Sequence, residues 1–386
     1  MARQEFLLRA AALLALWACP AHAADIEINH ERLASPTPNH ATTEPIVRLS
    51  GMMRQGDSQK LRSMLTVLKS GTTSASAATQ VTVELSSLGG DLHEGLRAGY
   101  LFREFDVATV VRKGDICMSA CALAFLGGAQ GSPERAACRR LEIGGKLGFH
   151  SFWLNPNSAV ADDRAGARQQ GFTEALAGAA SVVRYAADLN IDSKFVAGML
   201  ATPSDEFVFI NTVEDFLTLG ICPGGIGRPS IDPSEQALNI CGHSTGWATR
   251  AKSARITPMT AQQAKRYILE NVQQNMLLLE VKGALSTQLA SYSVMRDERA
   301  IDNLYADLRA AGVRLPKIVG PVFEVDGYRI GGGETQCFVS LSLDDPDQFQ
   351  VAVRRPKIWA HPGASAPNGS RRLFLYGRGA VINPRP

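Results

Sequence analysis

Between residues 46 and 221, short apolar runs that favour β-strands alternate with stretches of helical periodicity. Leu61, Met64, Leu65 and Leu68, for example, place an apolar stripe on one face of a helix. Such alternation implies parallel strands with right-handed crossovers, so we predict an α/β fold. The predicted strands are 46–50, 81–85, 107–111, 147–150 and 207–210; the further helices run through Leu96 and Tyr100, start near Ser119, and span 171–189, 191–200 and 213–219.

The first 23 residues have the organisation of an export signal. Arg3 and Arg9 give a charged start, residues 10–18 are apolar, and the Ala-His-Ala sequence at 21–23 is a small-residue cleavage site. Cleavage would leave a mature chain that starts near Ala24, and a bacterial periplasm is the simplest destination. No later window approaches eighteen consecutive apolar residues, so no membrane span is predicted.

The length of 386 residues predicts two domains, because one hydrophobic core rarely grows that large. We assign the α/β domain to residues 46–222, after an N-terminal extension at 24–45. Gly, Pro, Ser and Asn dominate residues 223–255, which we interpret as a linker or long loop. Residues 256–386 are predicted to form a C-terminal α+β region.

The α+β prediction rests on two helical patterns and one turn signal. The helices are expected at 261–280 and around Ile301 to Leu308, and Asp326-Gly327 is a hairpin turn signal. The end of the chain, residues 351–386, is basic and has no acidic residue. It is either a solvated tail or a site for a polyanion or an acidic partner. Its basic residues are Arg354, Arg355, Lys357, Arg371, Arg372, Arg378 and Arg385.

The formal charge of +3 argues against whole-protein binding to nucleic acid or anionic lipid. Two arginines and one glutamate of the leader contribute +1 of this charge, which leaves +2 for the mature chain. A balance so near neutrality gives no general attraction to polyanions.

The cysteines predict disulfides, because an even number remains in an exported chain once the leader is removed. Cys222 and Cys241 flank the Gly/Pro-rich segment and are the favoured pair; Cys138 with Cys117 or Cys121 comes next. A metal site is not predicted, since no second close pair completes a four-ligand set beside the C-x3-C pair.

Two turns that follow strands and precede helices are the candidate chemical sites. In the first, Gly89 and Gly90 can direct backbone N–H groups into a cleft without obstruction by a Cβ. In the second, Ser119 sits at a helix start between Cys117 and Cys121. Ser119 is either a nucleophile, with the N–H of Ala120 as a donor to an oxyanion, or an N-cap residue of the helix.

His150 is the candidate general base, because a neutral imidazole can accept a hydroxyl proton near pH 7. It ends a short apolar run, Gly-Phe-His at 148–150. A lone histidine in such a run is otherwise a satisfied core or surface residue. An acid is needed to orient the ring, and Asp205, just before the last strand, is the first choice, with Glu206 as its nearest rival.

The order of these parts resembles the proteolytic subunit of the Clp protease family. The matching pieces are Ser-Leu-Gly-Gly at 87–90, Cys-Met-Ser-Ala-Cys at 117–121, Gly-Phe-His at 148–150, and Asp205 ahead of the last strand and helix. The cysteines around the serine are similar to the exported, periplasmic branch of Clp-like proteins. The resemblance covers about residues 46–221 and implies a Clp/crotonase-like ββα spiral with parallel strands.

By this resemblance the chain carries a serine protease site. Ser119 would be the nucleophile, His150 the base and Asp205 the orienting acid, with the N–H groups of Gly90 and Ala120 as oxyanion donors. Peptide bonds would be hydrolysed through an acyl-enzyme, with no cofactor.

The expected partners follow from the family and from export. An exported enzyme has no ATP supply, so no ATPase partner is expected, and its substrates would be peptides or unfolded protein segments. The family forms rings, so a homo-oligomer is expected unless the C-terminal region blocks it. Two alternatives stay open: a non-catalytic envelope binding or scaffold protein that retains the fold, and a crotonase-type acyl-CoA enzyme, against which export argues because CoA is cytosolic.

Overall fold

The computed structural model describes residues 24–29, 45–70, 80–130, 136–137, 139–151, 164–203, 205–245, 255–274, 281–291, 296–313, 315–330, 333–355, 358–360 and 371–384. The predicted leader and Cys138 lie outside the described residues. The chain divides into two compact units between Ile210 and Asn211. We call these the first and second unit; their boundary falls before the predicted domain end at 222.

The first unit alternates strands and helices. Its strands are β1 (Asp25–Asn29), β2 (Ile46–Ser50), β3 (Val81–Ser86), β4 (Val107–Val111), β5 (Ile116–Met118), β6 (Ala129–Gln130), β7 (Ala136–Ala137), β8 (Arg139–Glu142), β9 (Lys146–Phe149) and β10 (Val208–Phe209). Its helices are α1 (Asp57–Ser70), α2 (Leu92–Glu104), α3 (Ala120–Phe125), α4 (Arg164–Asp188) and α5 (Ser193–Ala201).

The main sheet of the first unit is parallel apart from one edge. Its strands follow the order β1-β2-β3-β4-β8, and β2, β3, β4 and β8 run parallel. The mixed α/β fold with parallel strands is therefore confirmed. All five residues of β4 are buried, as expected for a parallel strand covered on both faces. The antiparallel edge strand β1 comes from the predicted N-terminal extension, where no strand was expected.

A smaller sheet carries the serine and histidine segments. Its order is β10-β9-β5, with β5 parallel and β10 antiparallel to β9. A bridge between Ser87 and Cys117 joins the turn after β3 to β5. The chain therefore brings the glycine turn and the two short strands to one region.

A buried tyrosine ties three helices together around that region. The Tyr185 hydroxyl of α4 donates a hydrogen bond to the carbonyl of Leu123 in α3 at 2.7 Å, and its side chain is 1% exposed. In α2, Gly99 makes room for it, since a Cβ there would collide with the Tyr185 hydroxyl. Burial raises the pKa of Tyr185, so the hydroxyl stays a donor at all physiological pH values.

A group of ion pairs connects strands of the main sheet to the segment that precedes β5. Arg48 contacts Glu84 and Asp115, and Arg112 contacts Glu84 and Glu142. Burial acts to raise the pKa of Glu142, but hydrogen bonds from the main chain of Lys113 and from Arg112, with nearby positive charge, outweigh it, so that the pKa is lowered.

We expect acid to weaken the fold through Glu142. Because its pKa is lower in the folded chain, the stabilisation is present above the ordinary value of 4.5 and is lost as pH falls through the folded value. Urea unfolding at pH 7, 5, 4 and 3 should show a smaller acid-induced loss for Glu142→Gln than for the native chain. The exposed Glu27→Gln is the control; an identical pH profile for Glu142→Gln and the native chain would contradict the expectation.

The second unit has an α+β architecture. Its elements are α6 (Val213–Thr218), β11 (Ile221–Gly224), α7 (Pro233–Ser244), β12 (Ile256–Met259), α8 (Ala261–Gln274), α9 (Ala284–Ala290), α10 (Glu298–Ala310), β13 (Val322–Ile330), β14 (Gly333–Leu341), β15 (Phe349–Arg355), β16 (Ile358–Ala360) and a 3-10 helix (Arg371–Leu375). The strands β12 to β16 form an antiparallel sheet in sequence order. Apolar residues of α8 and α10 share a core with Phe338 and Ala352 of this sheet.

The predicted hairpin at Asp326-Gly327 is wrong. Both residues lie inside β13, where the register with β14 shifts between Val325 and Tyr328 as a β-bulge. Gly327 has φ +93°, and an Asp-Gly pair suits a bulge for the same reason that it suits a turn. The β13–β14 hairpin closes after Ile330.

The segment 223–255, predicted as a linker or long loop, contains helix α7. Asp232 caps this helix by accepting a hydrogen bond from the N–H of Ser234 at 2.8 Å, and Pro233 takes the first helical position. Asp-Pro is a recognised start signal, which the Gly/Pro-rich composition obscured.

The favoured disulfide Cys222–Cys241 is wrong. Cys241 of α7 is bonded to Cys337 of β14, and Cys117 is bonded to Cys121. The second bond also replaces the predicted pairing of Cys138 with either of these two residues. Spacing misled the prediction, since the partner of Cys241 lies 96 residues away in sequence.

The basic C-terminal end is not a free tail where the structure describes it. Arg372 forms an ion pair with Asp347 at 2.7 Å, and Arg378 forms one with Glu214. Arg371 lies over the ring of Phe349, 4.4 Å from its centroid. Arg354 and Arg355 belong to β15, while Lys357 and Arg385 lie outside the described residues.

Among the described residues, no helix combines the length and the apolar character that a membrane span needs. No group of three or more His, Cys, Asp or Glu side chains in these same ranges could hold a metal ion.

Candidate active site

The glycine turn that follows β3 is fixed to β5 by hydrogen bonds. Ser87 is 4% exposed; its N–H donates to the carbonyl of Ile116 at 2.7 Å, and its carbonyl accepts from the N–H of Met118 at 3.0 Å. The Ser87 hydroxyl also accepts a hydrogen bond from the N–H of Gly89 at 3.0 Å. The turn and the serine segment therefore share one hydrogen-bonded frame.

Both glycines of the turn are required by their conformation and by close approach. Gly89 has φ +105° and Gly90 has φ +140°. A Cβ at Gly89 would lie 2.7 Å from the Cβ of Ser119, and a Cβ at Gly90 would collide with the carbonyl oxygen of Met53. Only glycine allows the turn to pass this close to Ser119 and to residue 53.

The main-chain N–H of Gly90 takes no part in the hydrogen bonds between Met53 and the glycine turn. Met53 donates to the carbonyl of Gly89 at 2.8 Å and accepts from the N–H of Asp91 at 2.9 Å. This bridge uses the groups on either side of Gly90, so the Gly90 N–H is not part of it. Gly90 also lines a cavity, described below.

Ser119 occupies a strained junction between β5 and α3. Its backbone has φ 56° and ψ −125°, a combination that is unfavourable for residues other than glycine. Ser119 occupies the N-cap position of α3, and its carbonyl accepts from the N–H of Leu123 at 3.1 Å, but its hydroxyl makes no capping hydrogen bond. A serine on a sharp strand-to-helix turn is the arrangement that exposes a nucleophilic oxygen at a helix N-terminus.

A disulfide spans the serine. Cys117, in β5, and Cys121, in α3, are both fully buried, and their Cα atoms lie 5.3 Å apart. The bond closes the strand-to-helix junction around Ser119, so it constrains the backbone that carries the hydroxyl.

His150 follows the strand that neighbours Ser119. The Ser119 N–H donates to the carbonyl of Gly148 at 3.0 Å, and Met118 pairs with Gly148 in the parallel ladder of β5 and β9. Because β5 and β9 are parallel neighbours, Ser119 and His150 follow the same ends of two adjacent strands, and such strands lie about 4.8 Å apart. The half-buried His150 ring packs against Phe207, with 4.5 Å between ring centroids.

One cavity of about 680 Å³ brings these groups together. Ser119, His150, Gly90 and Ala120 all line it, so four of the five residues predicted for the site share one space. The Ala120 amide is in the first turn of α3, where helix N–H groups have no partner within the helix. The lining also includes Met53, Arg54, Asp91, His93, Leu123, Glu174, Val182 and Met199.

The fifth predicted residue, Asp205, does not line the cavity. It is exposed, two residues before the Phe207 ring that contacts His150. Its rival Glu206 is also exposed. The carboxylates in the lining are instead Asp91, which caps α2 through the N–H of Glu94, and Glu174 of α4.

Sequence reasoning missed the cavity residues that follow β2. Met53 and Arg54 come just after a strand that runs parallel to β3, and the ends of parallel strands share one edge of a sheet. That rule could have placed residues 51–54 beside the glycine turn. Glu174 had no such signal, since nothing in the sequence says which face of α4 turns to the cavity.

The fold defines a mixed α/β protein with parallel strands, and known proteins add little to this description. No family model matches the chain, and no curated protein matches it. Among solved structures, a mutant form of ClpP1 from Listeria monocytogenes is similar, with 16% sequence identity and a TM-score of 0.33. The match covers 47% of this chain and 92% of that one. A likeness this distant carries no argument about chemistry, which we base on the residues of this chain.

Proposed function

We propose that this chain is an exported serine peptidase of the Clp-like class, with residues 46–222 as a Clp/crotonase-like domain. The observation that carries the proposal is the strained backbone of Ser119, which faces a cavity shared with His150 and makes no capping bond. Strain of this kind persists only where the surrounding structure enforces it, and it is concentrated at functional sites.

The reaction would proceed through an acyl-enzyme. The Ser119 oxygen attacks the carbonyl carbon of a peptide bond, and His150 accepts the hydroxyl proton. The N–H groups of Gly90 and Ala120 donate hydrogen bonds to the carbonyl oxygen as it becomes negative. His150 then protonates the leaving amine, and water, activated by His150, hydrolyses the ester and restores Ser119.

The cavity is suited to a peptide rather than a folded protein. Met53, Leu123, Val182 and Met199 give it apolar walls beside the polar groups of the site. Export would separate the enzyme from ATP, so the proposed substrates are peptides or unfolded segments that enter without an ATPase partner. The mature protein is proposed to act in the periplasm.

A fluorophosphonate probe tests this proposal directly, because it reacts with a serine that is activated by a base and an oxyanion site. The exported protein should be labelled, with the adduct on Ser119 by peptide mass spectrometry, and Ser119→Ala should abolish labelling. Ser181→Ala is the matched control, since Ser181 lies on α4 beside lining residues but is not in the lining. Absence of labelling in the folded native chain would refute the peptidase.

We propose that Asp205 orients the His150 ring. Asp205 lies two residues before Phe207, whose ring packs against the ring of His150. Because Asp205 is exposed, water screens its charge, and we expect Asp205→Asn to lower kcat only about tenfold with KM little changed. Peptide hydrolysis rates would measure this effect, with Glu206→Gln as the control. A larger loss for Glu206→Gln would move the role to that residue.

A non-catalytic binding protein is the second candidate. The observation in its favour is that neither carboxylate in the cavity lining comes from the segment predicted to orient His150. Such a protein would bind peptides with equal affinity in the native chain and Ser119→Ala, and the probe would label neither.

A further inference from the structure

The residue at the predicted cleavage point has an unusual position. Ala24 is 1% exposed, and its main-chain nitrogen lies 3.2 Å from Oδ2 of Asp57. Asp57, at the start of α1, is also 1% exposed and accepts a second hydrogen bond on the same oxygen, from the N–H of Arg54 at 2.7 Å. A buried carboxylate thus contacts the nitrogen atom that export would convert into the chain terminus.

The charge on that nitrogen depends on whether the leader has been removed. In the uncut chain, the nitrogen of Ala24 is a neutral amide with one N–H. Hydrolysis of the bond between residues 23 and 24 consumes one water, gives a carboxylate on the leader, and leaves an ammonium on Ala24. A buried carboxylate is costly without a positive partner, and the ammonium supplies the full positive charge that the neutral amide lacks.

The contact between Ala24 and Asp57 is connected to the proposed oxyanion site through residues 51–54. A Cβ at Gly51 would be 3.9 Å from the Cα of Ala24, so Ala24 lies alongside the segment that leads to Met53. Asp57 holds this segment through the N–H of Arg54, and Met53 holds Gly89 and Asp91 on either side of Gly90. The position of the Gly90 amide therefore depends on a segment anchored at Asp57.

We propose that removal of residues 1–23 by a signal-peptidase-class enzyme creates an ion pair between the Ala24 ammonium and Asp57, and that this pair positions the Gly90 turn for catalysis. Asp57 is then a positioning residue, and the precursor has a less ordered oxyanion site than the mature chain. Because Ala24 is 1% exposed where β1 pairs with β2, we expect the cut to precede this pairing. This inference rests on the proposed export for the ion pair and on the proposed peptidase for its catalytic part.

The test moves the ammonium without changing the compartment. One glycine inserted between residues 23 and 24 leaves the cleavage sequence intact and displaces the new terminus by about 3.8 Å. The insertion is made in the native chain and in Asp57→Asn, with the exposed Asp25→Asn as a control for the terminal strand. All forms are purified after export; intact mass gives the first residue, urea unfolding the stability, and fluorophosphonate the rate at Ser119.

We expect the native chain to begin at Ala24, and the insertion to lower both the urea midpoint and the labelling rate, the latter on the order of tenfold. In Asp57→Asn the insertion should have no added effect. A different first residue, or an insertion that changes nothing in the native chain, would overturn the ion pair even if Asp57→Asn fails to fold. An effect on the urea midpoint alone would overturn the positioning role. If no form is labelled, the peptidase proposal fails, and the urea comparison still decides on the ion pair.

Discussion

Replacing Gly90 by alanine is expected to lower the rate at which Ser119 reacts with a fluorophosphonate by about 100- to 1000-fold, the effect of removing one oxyanion donor. The new Cβ would collide with the main-chain carbonyl of Met53, and Gly90 has φ +140°, a conformation that alanine rarely adopts. The turn must therefore shift, and the N–H proposed to face the oxyanion shifts with it.

Gly114 provides a matched control for this prediction. It precedes β5, has φ +87°, and has no atom within 4 Å of an added Cβ. Gly114→Ala therefore carries the conformational cost without the collision, and its labelling rate should stay within about twofold of the native rate. Equal losses in the two variants would mean that backbone strain alone, and not the position of the Gly90 amide, governs the site.

The second large effect is expected on removal of the two disulfides, one of which should mainly affect stability and the other the reactivity of Ser119. Loss of the Cys241–Cys337 bond, as Cys241→Ala with Cys337→Ala, should cost about 4 to 5 kcal/mol of unfolding free energy, because the bond closes a long loop. The same relation gives only about 2 kcal/mol for the short loop between Cys117 and Cys121. The labelling rate of Ser119 should instead fall more when the Cys117–Cys121 bond is lost, since only this short loop encloses the serine.

Urea unfolding and probe kinetics on the two double variants measure both effects. At 25 °C, Cys117→Ala with Cys121→Ala should lose at least about tenfold in labelling rate while remaining folded. The other double variant should keep the native labelling rate wherever it remains folded. Native labelling without the Cys117–Cys121 bond would show that the hydrogen bonds of the turn are sufficient to shape the Ser119 junction.

Local hydrophobic patterns predicted the helices of the first unit and its strands β2, β3, β4, β9 and β10, but not its other strands. The stripe from Leu61 to Leu68 became α1, with Leu61 and Leu65 fully buried, and the run at 107–111 became the fully buried strand β4. The structure brings Ser119, His150 and the glycine turn to one cavity, since parallel strands bring their ends to one edge, while their chemical roles stay predictions.

What the sequence could not show were contacts between distant residues. Nothing local distinguishes Cys337 from Cys222 as the partner of Cys241, and nothing local pairs Ala24 with Asp57. Asp326-Gly327 satisfies a hairpin and a bulge equally well, and only the register with β14 decides between them. Asp205 was placed by its position before a strand, which fixes its neighbourhood but not the direction of its side chain.

The bond between Cys117 and Cys121 also links the proposed reactivity of Ser119 to the redox state of its surroundings. In a reducing cytoplasm these thiols would stay apart, and the turn that carries Ser119 would lack its closing link. If the chain is the exported peptidase proposed above, Ser119 would then react more slowly with the proteins around it during synthesis. Its full reactivity would follow only once the disulfide had formed in an oxidising compartment.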